Sequence, residues 1–444
     1  MKRFAVLFLS IFVILSACAQ GGEETNSATS EGHSEPVQEP DRDLVAEGLP
    51  AFNEEVASLP ETTLDVWLAA DYAEEAPIQD AIAEFSEVYP HIKVNTRGIE
   101  WGEMINQIRL AVTGGSPPDM AHQHAFAMGA QGLAEPVDDL WEKWGEEETF
   151  VPGAIEDVVW KGKKYGVPLD INTTFYLYNK KLFEENGIGE PPNTMDELLE
   201  VSRKLTADDG SRYGFVNSAS AWNLYGHVVA EGGELLIEEG DTPQVNLDGP
   251  IVKEVVKKYT ELSTVHEVAP IPPAQQRQTD HPVAMFGTGR AASFVSGPFD
   301  LSRIENEFPD VYEDVGTAVI PGPEKGSTMG GGSLFVPKGS ENKVAAFELM
   351  KWFISDKYAI RLAEEMGRHP VKTHLYENEL YQDPLLQPFI ETLQYAKPYK
   401  LEAYPEANDA WSPAIRDIFN GADVENTLDQ AQKTAEQAID KSSH

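Results

Sequence analysis

The chain has 444 residues, of which 41% are hydrophobic and 8 are tryptophan, so it is long enough for two domains with sizeable cores. Its formal net charge of −40 disfavours nucleic acids and anionic membrane surfaces as partners, because no basic patch is available to neutralise phosphates. Cys18 is the only cysteine, which excludes a disulfide framework and a cysteine-based metal site.

The amino-terminal segment has the pattern of a secretion signal. Lys2 and Arg3 precede an apolar run from Phe4 to Leu15, which is too short for a stable membrane span. The small residues of Leu-Ser-Ala-Cys then end at Cys18, and this order resembles the lipobox of bacterial lipoproteins. We therefore expect residues 1–17 to be a signal peptide and Cys18 to be lipidated. The alternative is an ordinary signal peptide with an incidental cysteine.

Residues 18–60 are predicted to form a disordered acidic tether. Gly, Glu, Ser, Thr and Pro dominate this segment, and large apolar residues are few before Leu44. Such a composition is flexible and repels itself, so it would hold a folded body away from a membrane surface. The folded body is expected to begin near Glu61.

From Glu61 onward, strands and helices alternate along the chain. Residues 63–68 and 92–95 have strand patterns, residues 78–89 and 104–112 have apolar positions at helical spacing, and a short strand follows 117–120. This β-α-β-α-β order predicts a mostly parallel sheet covered by helices. Ligands of such sheets lie beyond the carboxyl ends of the strands. Here those ends are residues 69–72 and 122–126.

A long apolar and aromatic run occupies residues 165–183 and predicts an extended, buried strand. Asp170 and Asn172 interrupt it, and buried polar groups either bond to neighbouring backbone or face a cavity. We interpret the run as a strand that crosses from one lobe to another beside a cleft. The residues alone leave open the alternative of an ordinary internal strand followed by a helix.

The second half of the chain also alternates between helices and strands. Thr194 and Glu197 form a capping box that opens a helix through residue 205. A strand at 213–216 and helices from residues 220 and 250 follow. Glycines at 286–299 and 330–337 border strands, where they allow close approach of the backbone. The remainder to residue 439 is predicted to be helical.

Taken in order, these features resemble the family 1 extracellular solute-binding proteins of ABC importers, the group similar to maltose-binding protein. The matching segments cover nearly the whole mature body and are the lipobox ending at Cys18, residues 66–67, 85–90, 116–119, 165–168, 177–183, 191–198, 289–292 and 330–337. The resemblance implies a two-lobed α/β fold of type II, with a mostly parallel sheet flanked by helices in each lobe.

The resemblance also implies about three hinge crossings, near residues 169–174, 330–333 and 367–372, with ligand bound between the lobes. The first lobe would comprise residues 61–170 with 333–370. The second would comprise residues 171–332 with 371–439.

A cleft for sugars needs aromatic faces for the apolar sides of the rings and planar polar groups for the hydroxyls. The candidates for ligand contact are Asp71, Tyr72, His122, Gln123, His124, Asp170, Asn172, Trp222, Ser296, Phe299, Gly331, Gly332, Ser333, Arg368, His369 and Trp411. Arg368 and His369 stand where many relatives have an apolar residue before the proline.

Several of these candidates have a structural alternative. Asp170 and Asn172 are equally suited to holding the hinge backbone, and Trp222 and Trp411 to packing in a core. The His122 and His124 pair could contribute to a metal site, but no third ligand of fitting spacing is evident, so we expect no metal and no cofactor. The four other tryptophans considered are predicted to be packing or surface residues: Trp101, Trp141, Trp144 and Trp160.

The resemblance implies a lipid-anchored receptor on the outer face of the bacterial cytoplasmic membrane, or in the periplasm where there are two membranes. It would capture a sugar or oligosaccharide and deliver it to the membrane subunits of an ABC permease, as a monomer whose cleft opens freely. One alternative is the same fold binding a polyamine, peptide or metal complex, since Asp71 and Asp170 suit a polyamine.

A hydrolase is the other alternative, because paired carboxylates can act as acid and base. However, the sequence has no nucleophile elbow, no His-Glu-x-x-His motif and no convincing phosphate-binding loop. We therefore predict that the protein is not an enzyme.

Overall fold

The computed structural model describes residues 37–218, 220–237, 244–273 and 280–442. The predicted signal peptide, the lipidation site at Cys18 and the first part of the predicted tether lie outside these residues. Within the described ranges, no helix combines the length and the apolar character that a membrane span requires.

Strands and helices alternate through most of the described chain. The strands are β1 Thr62–Ala69, β2 Ile92–Ile99, β3 Met120–Gln123, β4 Val159–Trp160, β5 Lys163–Lys164, β6 Gly166–Thr173, β7 Phe175–Asn179, β8 Leu236–Ile237, β9 Gln244–Val245, β10 Ser293–Ser296, β11 Val315–Ala318, β12 Ser327–Phe335 and β13 Ala396–Pro398. The helices are α1 Glu54–Ala57, α2 Ala70–Ala73, α3 Ala76–Val88, α4 Trp101–Thr113, α5 Ala125–Ala130, α6 Asp138–Trp144, α7 Pro152–Glu156, α8 Lys180–Glu185, α9 Met195–Leu205, α10 Ala221–Ala230, α11 Pro250–Thr264, α12 Pro282–Gly287, α13 Pro298–Glu307, α14 Pro309–Tyr312, α15 Lys343–Phe353, α16 Asp356–Met366, α17 Gln387–Thr392, α18 Pro405–Phe419 and α19 Val424–Ser442. Short 3-10 turns include Lys400–Ala403.

Residues 37–60 belong to the folded body rather than to a tether. Leu44, Leu49 and Val56 are buried in the same core as β1 and α3. Burial of apolar side chains is the main driving force of folding, so these residues stabilise the segment against the first lobe. The folded body therefore begins before the expected start at residue 61. The mainly polar composition of the segment predicted a tether, although its three separated apolar residues are enough to anchor it to the core.

The first lobe is built on a six-stranded mixed sheet. Its strand order is β13-β12-β3-β1-β2, and β6 also pairs with β12. β1 runs parallel to β2 and β3, whereas β12 runs antiparallel to β3 and β6. Leu64, Val66 and Leu68 alternate along β1 and are fully buried. This parallel arrangement of β1, β2 and β3 brings their carboxyl ends to one edge of the sheet.

The sheet of the second lobe differs from the mostly parallel arrangement that we expected. β7 lies between β10 and β11 and runs antiparallel to both. Two isolated parallel bridges, Tyr213 to Ala291 and Val216 to Phe294, extend this sheet. Apolar alternation predicts that a segment is a strand but not its direction, which here depends on long connections between β7, β10 and β11.

The chain passes between the cores of the two lobes near each of the three predicted crossings, and β13 also returns to the sheet of the first lobe. Residues on either side of each passage lie in different cores: Ile171 and Phe175, Ile320 and Met329, and Val371 and Tyr381. At the first two passages, the backbone N–H of Thr174 donates to the hydroxyl of Ser327 over 2.8 Å. The two passages are therefore bonded to each other beside the cleft.

Candidate functional site: a cleft between the lobes

A cavity of about 360 Å³ lies between the two lobes, at the edge of the sheet where β1, β2 and β3 end. Its walls are formed by Asp71, Tyr72, Trp101, His122, His124 and Arg368 of the first lobe, by Ser220, Trp222, Phe299 and Glu402 of the second, and by Asn172, Gly330 and Gly331 of the crossing strands. Since the carboxyl ends of neighbouring strands are the usual ligand site in such sheets, the location favours binding.

A row of rings forms the first-lobe wall. The ring of His122 lies edge-on to Tyr72 at 4.8 Å and to Trp101 at 5.1 Å, and Trp101 lies 5.4 Å from His124, measured between ring centres. His122 is buried, and neither ring nitrogen has a hydrogen-bond partner among the described residues. Burial, with the charges of Arg368 and His124, lowers the pKa of His122 to about 3. The neutral ring therefore carries one donor and one acceptor that the described residues leave unsatisfied.

His124 carries the opposite protonation state. Its Nδ1 lies 2.7 Å from Oδ1 of Asp157, and its Nε2 lies 3.5 Å from Oε2 of Glu402. Burial lowers the pKa of His124, but the two carboxylates outweigh it and raise the pKa to about 9. The other oxygen of Asp157 accepts a hydrogen bond from the Ser333 hydroxyl. His124 is thus a fixed imidazolium at neutral pH.

Arg368 joins the two lobes at another part of the cleft. Its Nη2 donates to Oδ2 of Asp71 over 2.7 Å. Its guanidinium lies 5.1 Å from the ring centre of Tyr72 in the first lobe and 5.6 Å from that of Phe299 in the second. Contacts of this kind are attractive because the ring faces carry negative charge density. The positive charge of Arg368 is therefore balanced by its neighbours before any ligand enters.

Asp170 and Asn172 project from the same face of β6. The Asn172 amide donates to Oδ2 of Asp170 over 2.6 Å, which leaves Asp170 Oδ1 and Asn172 Oδ1 without partners among the described residues. Burial raises the pKa of Asp170 to about 6, against the lowering effect of Arg368 and Tyr72. Their side chains are 4% and 1% exposed. Such unpaired acceptors are costly unless a ligand or water bonds to them.

Three consecutive glycines of β12 allow Trp222, Asp170 and His122 to pack directly against the strand. A Cβ at Gly330 would lie 2.6 Å from Cζ2 of Trp222. Gly331 has φ +115°, and a Cβ there would overlap the carbonyl of Asp170. A Cβ at Gly332 would overlap Nε2 of His122. Glycine is therefore required at these positions by close approach and, at Gly331, by its backbone conformation.

The structure brings most of the candidate residues to this cleft. Those that line the cavity are Asp71, Tyr72, His122, His124, Asn172, Trp222, Phe299, Gly331 and Arg368. Asp170, Gly332 and Ser333 lie directly behind them and contact Asn172, His122 and Asp157, respectively.

The remaining four candidates neither line the cavity nor lie directly behind its wall. Gln123 alternates with His122 on β3 and accepts a hydrogen bond from the backbone N–H of His124. Ser296 donates to Asp300 over 2.7 Å, and His369 packs on Phe389 with ring centres 4.4 Å apart.

The last of the four, Trp411, is fully buried in the second-lobe core and has no access to a sugar. Its helix α18 turns this side chain inward, so the packing alternative holds for Trp411.

Four lining residues were not among the candidates: Trp101, Ser220, Gly330 and Glu402. Trp101 was expected to be a packing residue, but it follows the carboxyl end of β2 directly, and the strand-end rule applied to β2 would have found it. Glu402 belongs to a 3-10 turn far along the chain from the other lining residues. Its sequence surroundings carry no signal of a site.

Two lobes that share a cleft with unpaired polar groups define a ligand-binding protein of the solute-receptor class. Residues 69–360 match the family described as bacterial extracellular solute-binding protein, and the chain belongs to this family.

Similar proteins include the maltotriose-binding protein of Pyrococcus abyssi (strain GE5/Orsay), which is 29% identical over 354 residues, covering 74% of this chain and 73% of that protein. The diacetylchitobiose-binding protein of Streptomyces coelicolor is 26% identical over 321 residues, covering 71% of this chain and 75% of that protein. The crystal structure of an ABC transporter solute-binding protein from Thermotoga lettingae, bound with α-D-tagatose, superposes with a TM-score of 0.75 at 25% identity and covers 85% of this chain and 100% of that one.

Proposed function

We propose that the cleft captures an uncharged sugar or oligosaccharide and that the protein delivers it to the membrane subunits of an ABC permease. One observation carries the proposal: His122 and Asn172, both of which have unpaired polar atoms, line a cavity whose other walls include the rings of Tyr72, Trp101 and Trp222. Sugars combine hydroxyl groups with apolar ring faces, and this wall offers partners for both.

The distribution of charge favours a neutral ligand over a polyamine. Asp71 is already paired with Arg368, and Asp157 and Glu402 both flank His124. Asp170 accepts from the Asn172 amide behind the cavity wall rather than lining the cavity. A polyamine would need carboxylates that are free to pair with its ammonium groups. The similarity to binding proteins named for maltotriose and diacetylchitobiose supports the same choice.

Capture would proceed by closure of the lobes without chemical change of the ligand. Trp222 and Phe299 of the second lobe and His122 of the first line the same cavity, so a ligand in it contacts both lobes. A ligand can shift the open–closed equilibrium only through such differential contacts. The closed form would then be the form that docks to the permease, as a monomer.

We further propose that Cys18 anchors the protein by lipid to the outer face of the cytoplasmic membrane. The support is the sequence alone: a basic start, a short apolar run and small residues before the only cysteine. Stable anchoring requires more than one acyl chain, which a diacylated cysteine supplies. The Cys18→Ser variant should lose fatty-acid labelling and leave the membrane fraction; if it remained there, the anchor would lie elsewhere.

Thermal unfolding and calorimetry with a ligand panel test the binding function. Maltotriose, diacetylchitobiose and tagatose represent sugars, and putrescine and a dipeptide represent other solutes. A ligand at a hundredfold excess over its dissociation constant stabilises the folded state by about 2.7 kcal/mol. A shift with a sugar supports the proposal, whereas a shift with putrescine or the dipeptide alone would replace the substrate class.

Two histidine variants test whether the sugar binds in the cleft. His122→Leu should weaken sugar binding at least tenfold, because it removes a donor and an acceptor from the cavity wall. The matched control is His374→Leu, since the His374 side chain is half exposed and pairs with Asp356 at the surface. Equal affinity in the two variants would place the sugar elsewhere.

A further inference from the structure

Helix α16 packs against both lobes, with a different face toward each. Tyr358 and Leu362 are buried in the first-lobe core. Ile360 is partly buried and packs against the second-lobe core around β7 and β10. Positions 358 and 362 are one helical turn apart, whereas position 360 lies on the opposite side of the helix. The helix therefore lies at the boundary between the lobes.

The end of α16 continues this contact. Gly367 ends the helix with φ +63° and comes two turns after Ile360, so it lies on the same face. A Cβ at Gly367 would lie 2.7 Å from Oγ of Ser302, 3.3 Å from the carbonyl oxygen of Pro298 and 3.4 Å from Cα of Phe299. These three residues belong to α13 of the second lobe. The end of α16 is therefore packed closely against the start of α13.

Arg368 adds a side-chain contact at the same place. Its backbone N–H donates to the carbonyl of Leu362 over 3.1 Å, which ties the residue to the end of α16. Its guanidinium contacts the ring of Tyr72 in the first lobe and the ring of Phe299 in the second. A planar guanidinium stacks on aromatic faces, so this group attracts both lobes at once.

Part of this contact lies outside the cleft. Arg368 and Phe299 line the cavity, whereas Ile360, Gly367 and Ser302 are not among its lining residues. All of the contacts are made by groups of the protein itself. The attraction between α16 and α13 therefore does not depend on a ligand.

We propose that these residues form a latch that holds the lobes together independently of ligand, and that the latch sets the fraction of the protein whose cleft is ready to bind. The latch consists of Ile360, Gly367 and Arg368 on the first lobe and Phe299 and Ser302 on the second. The inference rests on the proposed function, since it assumes capture by closure of the lobes. Apparent affinity scales with the binding-competent fraction, so Gly367 is a positioning residue that acts on the sugar without contacting it.

Gly367→Ala tests the latch without changing any residue of the cavity wall. The new methyl group would overlap Ser302 and should displace α13 from α16. Small-angle X-ray scattering of the full-length protein without added sugar should therefore give a larger radius of gyration than that of the unchanged protein. Gly145→Ala is the matched control, because Gly145 ends α6 with φ +72° and no atom lies within 4 Å of a Cβ there. It introduces the same backbone strain without the contact between the lobes.

Two further comparisons assign the effect to the latch. Adding Ser302→Ala to Gly367→Ala removes the nearest overlapping atom, so it should reverse at least half of the increase in radius. Arg368→Met keeps an apolar stem but loses the planar charge, and it should also increase the radius. Adding Phe299→Leu to Arg368→Met should cause no further increase, because both substitutions remove the same contact.

Calorimetry supplies the second measurement, with whichever of maltotriose, diacetylchitobiose and tagatose the unchanged protein binds. Gly367→Ala should weaken this binding about threefold to tenfold, and Gly145→Ala less than twofold. At saturating sugar the radius of Gly367→Ala should equal that of the unchanged protein, because contacts with the ligand then hold the lobes together. A variant that was merely misfolded would keep its larger radius.

The latch is refuted if Gly367→Ala and Arg368→Met leave the radius of the sugar-free protein unchanged, or if Gly145→Ala increases it equally. It is also refuted if the radius increases but the affinity for a bound sugar does not fall. If no sugar binds to the unchanged protein while Gly367→Ala still expands it, the proposed function fails and the contact between the lobes stands. Scattering without sugar thus distinguishes the two failures.

Discussion

Replacing Glu402 by glutamine removes one of the two carboxylates that flank His124. Glu402 lies where the two lobes meet: its neighbour Leu401 is buried in the second-lobe core, whereas its other neighbour, Ala403, is buried with Phe126 of the first lobe. Asp157, the other carboxylate, belongs to the first lobe. The Glu402→Gln variant therefore removes one carboxylate from His124 and leaves Asp157 in place.

The expected size of the effect follows from the protonation of His124. A pKa of about 9, against an ordinary value of 6.5, favours the charged ring by about 3 kcal/mol. Asp157 lies at 2.7 Å, whereas Glu402 lies at 3.5 Å with its side chain 26% exposed. We therefore assign the smaller part, about 1.4 kcal/mol, to Glu402, so glutamine should raise the acid dissociation constant of His124 about tenfold.

The direction of the pH dependence follows from the same values. The folded-state pKa of His124 lies above its unfolded value, so the stability that the ring contributes is fully present below pH 6.5. That contribution is lost as the pH rises through about 9. In Glu402→Gln the loss should begin at the same pH but be smaller and complete at a lower pH, because only the folded-state pKa falls.

Nuclear magnetic resonance titration of the histidine ring protons measures this directly, with and without a bound sugar. Glu406→Gln is the matched control, because Glu406 is exposed and lies four residues further along the chain. A tenfold change in Glu402→Gln alone supports the contact. If His124 titrated identically in the unchanged protein and in Glu402→Gln with ligand bound, the carboxylate would not reach the ring and the argument would fail.

The remaining predictions concern the cavity wall and the cores. Gly332→Ala should weaken sugar binding about tenfold and lower stability by about 1–3 kcal/mol, since its methyl group would displace His122; calorimetry and denaturant unfolding measure both. Trp411→Ala should cost about 3–5 kcal/mol in unfolding but leave sugar affinity within twofold, because the ring packs in a core. His227 is fully buried, and burial lowers its pKa to about 4. As the pH falls from 6.5 to about 4, the unfolded state therefore binds a proton at this residue that the folded state does not, and the free energy of unfolding decreases. His227→Phe should remove about 3 kcal/mol of that fall; the same slope in both proteins would contradict it.

Local patterns predicted the parts of the candidate site that directly follow the ends of predicted strands. Asp71, Tyr72 and His122 were found because apolar alternation places the strands and parallel pairing brings their ends to one edge. The sequence family confirms the two-lobed α/β class. Asp170 and Asn172 became candidates because polar residues in a buried apolar run require hydrogen-bond partners. In the structure, one oxygen of each side chain has no partner among the described residues.

The features of the site and of the fold that depend on contacts between distant parts of the chain could not be predicted from local patterns. Glu402 lies 278 positions from His124 in the chain, and only the folded second lobe brings the two within 3.5 Å. Trp411 has the side chain expected of a sugar-stacking residue, but the face that α18 presents to its core decides its role. Strand direction in the second lobe likewise depends on connections whose geometry no local pattern encodes.

The glycine run in β12 brings one of the predicted hinge crossings and the candidate site to the same residues. Gly330 receives Trp222 from the second lobe, whereas Gly332 receives His122 from the first. The next residue, Ser333, donates to the carboxylate that holds His124, at the point where the pairing of β12 with β6 shifts register. The hydroxyl of Thr328, two residues before Gly330, also donates to the backbone carbonyl of Trp222, so the strand holds the start of α10 as well. One strand therefore contacts cavity-lining rings from both lobes, which is the arrangement that the proposed closure around a ligand requires.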